Sequence, residues 1–132
     1  MILQKTQKIM RTGIEKYASS LERSDEEVQI LVRADPNSDG VIYQVCDKWK
    51  PKMVISFKDI MDTKIDLLGL EGLSSPFMRK GVDVYAKYYD CSNSDINVFI
   101  FKKGKKIGVA VYEKTNFKEV ITMEKQFQRI GL

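Results

Sequence analysis

The stretch Ile96-Asn97-Val98-Phe99-Ile100-Phe101-Lys102-Lys103-Gly104-Lys105-Lys106-Ile107-Gly108-Val109-Ala110-Val111-Tyr112 decides the fold. Two apolar runs, rich in β-branched and aromatic residues, flank a short basic turn around Gly104. That pattern is a β-hairpin. Strands joined by so short a turn must be antiparallel neighbours, because a parallel return needs a crossover of about a dozen residues. An antiparallel sheet therefore forms the centre of the fold.

A second hairpin lies upstream. Val28, Ile30 and Val32 recur at every second position, and Val41-Ile42-Tyr43-Gln44-Val45 follows the turn-rich Asp35-Pro36-Asn37-Ser38-Asp39-Gly40. Met53-Val54-Ile55, after Lys50-Pro51, predicts a short third strand, and the alternation of Val82, Val84, Ala86 and Tyr88 predicts another. Helices are expected around the strands. From Ile2 to Leu21, apolar residues at Leu3, Ile9, Met10, Ile14, Tyr17, Ala18 and Leu21 keep spacings of three and four. Ser56 with Asp59 resembles an N-cap for a helix carrying Phe57, Ile60, Met61, Ile65 and Leu68, which Gly69 and Gly72 end before a Ser74-Ser75-Pro76 loop. Asn116, with Glu119 placed to reach back, caps a final helix whose stripe is Phe117, Val120, Ile121, Phe127 and Ile130. The expected fold is α+β: one domain over residues 1–132, a single antiparallel sheet of five to six strands, and N- and C-terminal helices packed on it.

Composition narrows function. The 132 residues include no histidine, which removes Ser-His and Cys-His pairs, histidine bases and imidazole ligands. Two cysteines, Cys46 and Cys91, cannot form a disulfide framework or close a zinc site by themselves. The net charge of +4 permits an acidic partner without demanding nucleic acid. No run approaches the ~20 apolar residues of a membrane span. The N-terminal Met-Ile-Leu-Gln-Lys does not read as a signal peptide, so a reducing, cytoplasmic setting is expected. No metal, cofactor or catalytic constellation is expected, and the reading is a binding module rather than an enzyme.

Several motifs have two readings. Asp35-x-Asn37-x-Asp39-Gly40 matches the start of a calcium loop, but the twelfth position is Cys46 rather than an acid, so a plain turn is preferred. Asp59, Asp62 and Asp66 share a helix face, where a solvated face outweighs a metal or acid–base site. Lys102, Lys103, Lys105 and Lys106 could hold phosphate, or could guard a hairpin tip. Phe99, Phe101 and Tyr112 could stack on bases, or pack across strands. Trp49 and Tyr43 could form an exposed aromatic platform or lie buried.

The chain resembles a divergent, archaeal-type profilin. Gln29 to Val32 and Asp39 to Gln44 are similar to the first profilin hairpin, with Tyr43 where the family usually has Trp. Ile100 to Gly104 and Ile107 to Glu113 are similar to the last hairpin, and Val120 to Leu132 to the closing helix. The N-terminal helix is longer than in the family and lacks its Trp and Tyr, and only one strand is read before the last hairpin.

This resemblance implies a cytoplasmic, cytoskeletal protein that binds monomeric actin, itself a monomer, and tunes polymerisation. The implied actin-binding positions are Lys80, Lys87, Asn97, Phe99, Asn116, Phe117, Glu119, Val120 and Met123. A polyproline groove would reduce to Tyr17, Tyr43 and Phe127, so weak or no polyproline binding is expected. Phosphoinositides would meet Lys102, Lys103, Lys105 and Lys106. The topological cousin is the roadblock/longin-type domain, which implies a homodimeric scaffold for a small GTPase. A small nucleic-acid-binding accessory protein is the third reading.

Overall fold

The computed structural model describes residues 2–55 and 68–129. Helix α1 (Ile2–Ser20) leads into strands β1 (Val28–Ala34), β2 (Val41–Asp47) and β3 (Lys50–Ile55). Helix α2 (Leu68–Tyr88) and a one-turn 3-10 helix (Asn93–Asp95) lead into β4 (Ile96–Lys103), β5 (Lys106–Glu113) and β6 (Asn116–Thr122). A short helix α3 (Met123–Arg129) follows. The strands form one six-stranded sheet in the order β3-β2-β1-β4-β5-β6, and the pairings are antiparallel. The fold is α+β, with two three-stranded meanders meeting where β1 pairs with β4.

The three described helices pack on one face. Met10, Ile14 and Tyr17 of α1, Met78, Val82 and Tyr85 of α2, and Met123 and Phe127 of α3 share a core. The sheet contributes Val28, Ile30, Val32, Tyr43, Val45, Val98, Ile100, Val109 and Val111 to it. The two terminal helices touch each other and both touch α2. In β1, β4 and β5, alternate residues supply this core, so the residues between them line the opposite face.

The ends of α1 and α2 are built alike. Arg23 N–H donates to the Ala18 carbonyl at 2.8 Å, and Cys91 N–H to the Ala86 carbonyl at 2.9 Å. The residue before each donor, Glu22 at φ 55° and Asp90 at φ 53°, takes the left-handed conformation that usually belongs to glycine at this cap.

Three expectations change. Val82 to Tyr88 is helical, not a strand. Met78, Val82, Tyr85 and Ala86 are buried at helical spacing, whereas Val84 is 38% and Tyr88 72% exposed. The apolar alternation was real, but only part of it faces the core. Helix α2 also runs through Gly69, Gly72 and Ser74-Ser75-Pro76, which were expected to end a helix and form a loop. The third change is at 116–122, which is a strand and not the start of the final helix. Tyr112 pairs with Phe117 and Val111 with Glu119, so Lys118 is the extra residue of a β-bulge. A bulge shifts the two-residue strand period by one. It thereby gives Phe117 and Val120 the three-residue spacing that mimics a helix. The expected N-cap at Ser56 and the carboxylates Asp59, Asp62 and Asp66 lie outside the described residues.

Arg79 of α2 closes the Asp35–Gly40 loop. Its Nη1 donates to the carbonyls of Ser38 at 2.7 Å, Gly40 at 2.9 Å and Asp35 at 3.3 Å. The Asp35 carboxylate accepts from Asn37 N–H and the Ser38 hydroxyl, each at 2.9 Å. Those two bonds, the Asn37 one foremost, hold its pKa below the usual carboxylate value. The segment is a turn that uses its own oxygens, with a guanidinium seated against its carbonyls.

Candidate protein-binding face

Opposite the helices, the sheet carries a second apolar cluster. Leu31, Cys46, Phe99 and Ala110 are buried there, with Phe101 and Tyr112 packed against them. A row of rings crosses the strands. Trp49 meets Phe101 edge-on with centroids 5.1 Å apart and Phe99 at 5.7 Å. Phe99 meets Tyr112 at 5.3 Å, and Tyr112 meets Phe117 at 5.5 Å. These tilted and edge-to-face geometries suit ring quadrupoles and add about 0.5–1.5 kcal/mol per pair beyond area burial. The middle of the row is closed, with Phe99 4% exposed. Its ends are open: Trp49 is 38% exposed, Phe117 57% and the adjacent Val120 52%.

Trp49 reaches this row through a strained turn. Asp47 pairs with Lys50, leaving Lys48 and Trp49 as a two-residue hairpin loop with φ of 55° and 63°. Positive φ at both central residues is the type I′ pattern, which normally selects Asn and Gly. Surrounding bonds hold the costly conformation. Trp49 N–H donates to Gln29 Oε1 at 2.6 Å, and Lys48 N–H donates to the Glu27 carbonyl. Gln29, fully buried, in turn donates to the Glu26 carbonyl, and Arg23 Nε lies 3.2 Å from the Asp47 carboxylate.

Beside the row lies a trough of about 580 Å³. Phe101, Ile107, Gly108, Val120 and Ile121 form its apolar lining, and Lys103, Lys106, Thr122 and Lys125 add polar groups. Gly108 pairs with Phe101, whose ring fills the space a side chain at 108 would take.

The lysine turn is divided by strand alternation. Lys102 points to the helix side, where its Nζ lies 2.7 Å from Asp25 and 3.0 Å from Glu15. Hydrogen bonding to Asp25, then to Glu15, raises its pKa. Arg11 donates to the Lys105 carbonyl at 3.1 Å on that same side. Lys103 and Lys106 edge the trough instead. The four lysines that a phosphate site would need together are therefore not one cluster.

The nine positions implied for actin also divide. Asn97, Phe99, Phe117 and Val120 lie on the open face, with Asn116 at the start of β6. Lys80 and Lys87 are exposed on α2 in the helix layer. Met123 is fully buried in the core. Glu119 faces the helices, where Arg129 pairs with it and the Tyr89 hydroxyl donates to it. Tyr17 and Tyr43 are each 1% exposed and Phe127 6%, so all three rings belong to the core rather than to a surface groove. Of the proposed platform, Trp49 is half-exposed and Tyr43 buried. Nothing in the sequence alone marks Gly108, Lys125 or the strained loop at Lys48 as functional. Strand parity did carry a signal for the rest, because Phe99, Phe101 and Lys103 alternate onto one face.

Among the described residues, no three Cys, Asp or Glu side chains gather as a metal site, and no helix is long and apolar enough to cross a membrane. Burial pushes the Cys46 thiol up to about 11, which makes it a poor nucleophile near neutral pH. No family model, curated protein or solved structure matches this chain.

Proposed function

We propose that the chain is a binding module that grips a protein partner against the open face of its sheet, with monomeric actin the partner supplied by the profilin resemblance. One observation carries the reading: an aromatic row whose buried centre fixes two exposed ends, Trp49 and Phe117. Large rigid aromatics are the residues that dominate protein interfaces, because they bury much area at little entropic cost. The net charge of +4 favours encounter with an acidic protein such as actin. Asn97, Phe99, Phe117 and Val120 are the part of the implied actin set that this face presents. In this reading the protein works in the cytoplasm, on the cytoskeleton.

The test is polymerisation of monomeric actin with the protein at saturating concentration. Slowed growth that Phe117→Asp abolishes is the expected result. Unchanged kinetics would remove actin as the partner.

A second reading is a roadblock-type homodimeric scaffold. It is favoured by β6 lying at the sheet edge, with Phe117 and Val120 exposed along it. Light scattering separates the two, since a dimer dispersed by Phe117→Asp supports the scaffold and a monomer supports the actin reading.

A further inference from the structure

The trough beside the aromatic row has a charge pattern that the row lacks. Lys103 comes from β4, Lys106 from β5 and Lys125 from α3, so three elements bring like charges to one rim. Three lysines elsewhere are held by carboxylates. Lys102 meets Asp25 and Glu15, Lys48 meets Glu27, and Lys118 meets Glu113. Among the described residues, Lys103, Lys106 and Lys125 form no ion pair and no acidic side chain lines the trough. Three unpaired cations around an apolar recess repel one another until an anion arrives, which makes the site selective by charge sign.

The recess also sets what the anion must carry. Phe101, Ile107, Gly108, Val120 and Ile121 line it, and about 580 Å³ suits a few residues rather than a single ion. Nucleic acid fits poorly. Base stacking needs a free ring face, whereas Phe101 is covered by Gly108 and meets Trp49 edge-on. A lipid surface is the competing source of negative charge, and the vesicle arm of the test below distinguishes it.

We propose that this trough binds an extended acidic segment of a protein partner, one apolar side chain seated between Phe101 and Val120 and flanking carboxylates meeting Lys103, Lys106 and Lys125. The inference rests on the open face being the partner-binding surface, and it names the chemistry of what arrives at one end of it.

The probe is a capped pentapeptide with leucine at its centre and two glutamates on each side, titrated into the whole protein. Trp49 is the only tryptophan and touches Phe101, so its emission reports the event. Saturable binding is expected, weakened at least about tenfold by the double change Lys103→Glu and Lys106→Glu, and independently by Lys125→Glu from another element. Replacing the central leucine by serine, or the glutamates by lysines, is expected to weaken binding about fivefold or more. Circular dichroism establishes that each variant is folded. The proposal is overturned if the peptide does not bind, if the serine or lysine peptides bind within twofold of it, or if the lysine variants leave affinity unchanged. It is equally overturned if phosphatidylserine vesicles bind with the same lysine dependence while the peptide does not. Phe117 does not line the trough, so Phe117→Asp separates the two readings. Peptide binding that survives this change while actin regulation is absent removes only actin. Actin regulation that Phe117→Asp abolishes, without peptide binding, removes only the trough.

Discussion

The ring of Phe101 occupies the space that a side chain on Gly108, its partner across the β4–β5 ladder, would need. A Cβ at 108 would come no more than 2.9 Å from three of the ring's carbons. Gly108→Ala must therefore push Phe101 away, and Trp49 loses its edge contact. The expected cost is about 1–3 kcal/mol by denaturant unfolding, as for overpacking elsewhere. Native Trp49 fluorescence should shift with it. An alanine variant with unchanged stability and emission would show that the ring has room to spare.

The Lys48-Trp49 turn stores strain that a better turn residue should release. Asn tolerates the left-handed region, and the Lys48–Glu27 ion pair at 3.9 Å contributes little at the surface. Lys48→Asn is expected to stabilise the fold by up to about 1 kcal/mol. Trp49 emission should stay as it is, because the backbone path is unchanged. Thermal and urea unfolding read the gain.

Lys102 brackets the end of β4 to α1 and to the loop that follows it. Its folded pKa is raised above the ordinary 10.5 by Asp25 and then Glu15. The protonated form is thus the one the fold favours. Its contribution is complete below that ordinary value and is lost as pH rises through the higher folded one. Lys102→Met should lower stability at neutral pH and low salt. The gap from the parent protein should narrow with added salt and close at strongly alkaline pH.

Arg79 is expected to be hard to replace. One guanidinium nitrogen serves three loop carbonyls, and Nε lies 3.2 Å from Asp83. Arg79→Met should cost about 1–3 kcal/mol and speed amide exchange around Asn37 to Gly40. Arg79→Lys should recover only part, since an ammonium lacks the planar fork.

The two thiols should label at very different rates. Cys46 is fully buried beneath the aromatic row and its pKa is pushed up to about 11, whereas Cys91, whose pKa desolvation also raises, is partly exposed and so within a reagent's reach. A maleimide at neutral pH should modify one thiol per chain in the native state, at Cys91. Cys46 should react only as the protein unfolds. Rapid double labelling would mean that the open face breathes.

The hairpins were legible because their signals are local: apolar runs, a Gly104 turn, an Asp-Pro-Asn-Ser-Asp-Gly loop. The errors fell where two periods fit the same residues. Val82, Val84, Ala86 and Tyr88 alternate, and only the burial of Tyr85 beside Val82 and Ala86 reveals the helix. Phe117 and Val120 keep helical spacing because Lys118 is a bulge, and no residue type announces one. Helix α2 ends at Tyr88, and its left-handed cap is Asp90 rather than a glycine. The site was half-visible. Its aromatics and lysines stand out in the sequence, but Lys48-Trp49 does not look like a type I′ loop. Lys125 joins Lys103 and Lys106 only through tertiary folding.

The extra residue at Lys118 also bears on how this molecule behaves in crowded solution. Strand β6 is an outermost rail, and a straight rail invites copies to zip together without end. Here the rail is kinked in its first half, with a cation tied back to Glu113 3.5 Å away. A stray neighbour would find only the few rungs beyond the kink in register, too short a ladder to seed a fibre.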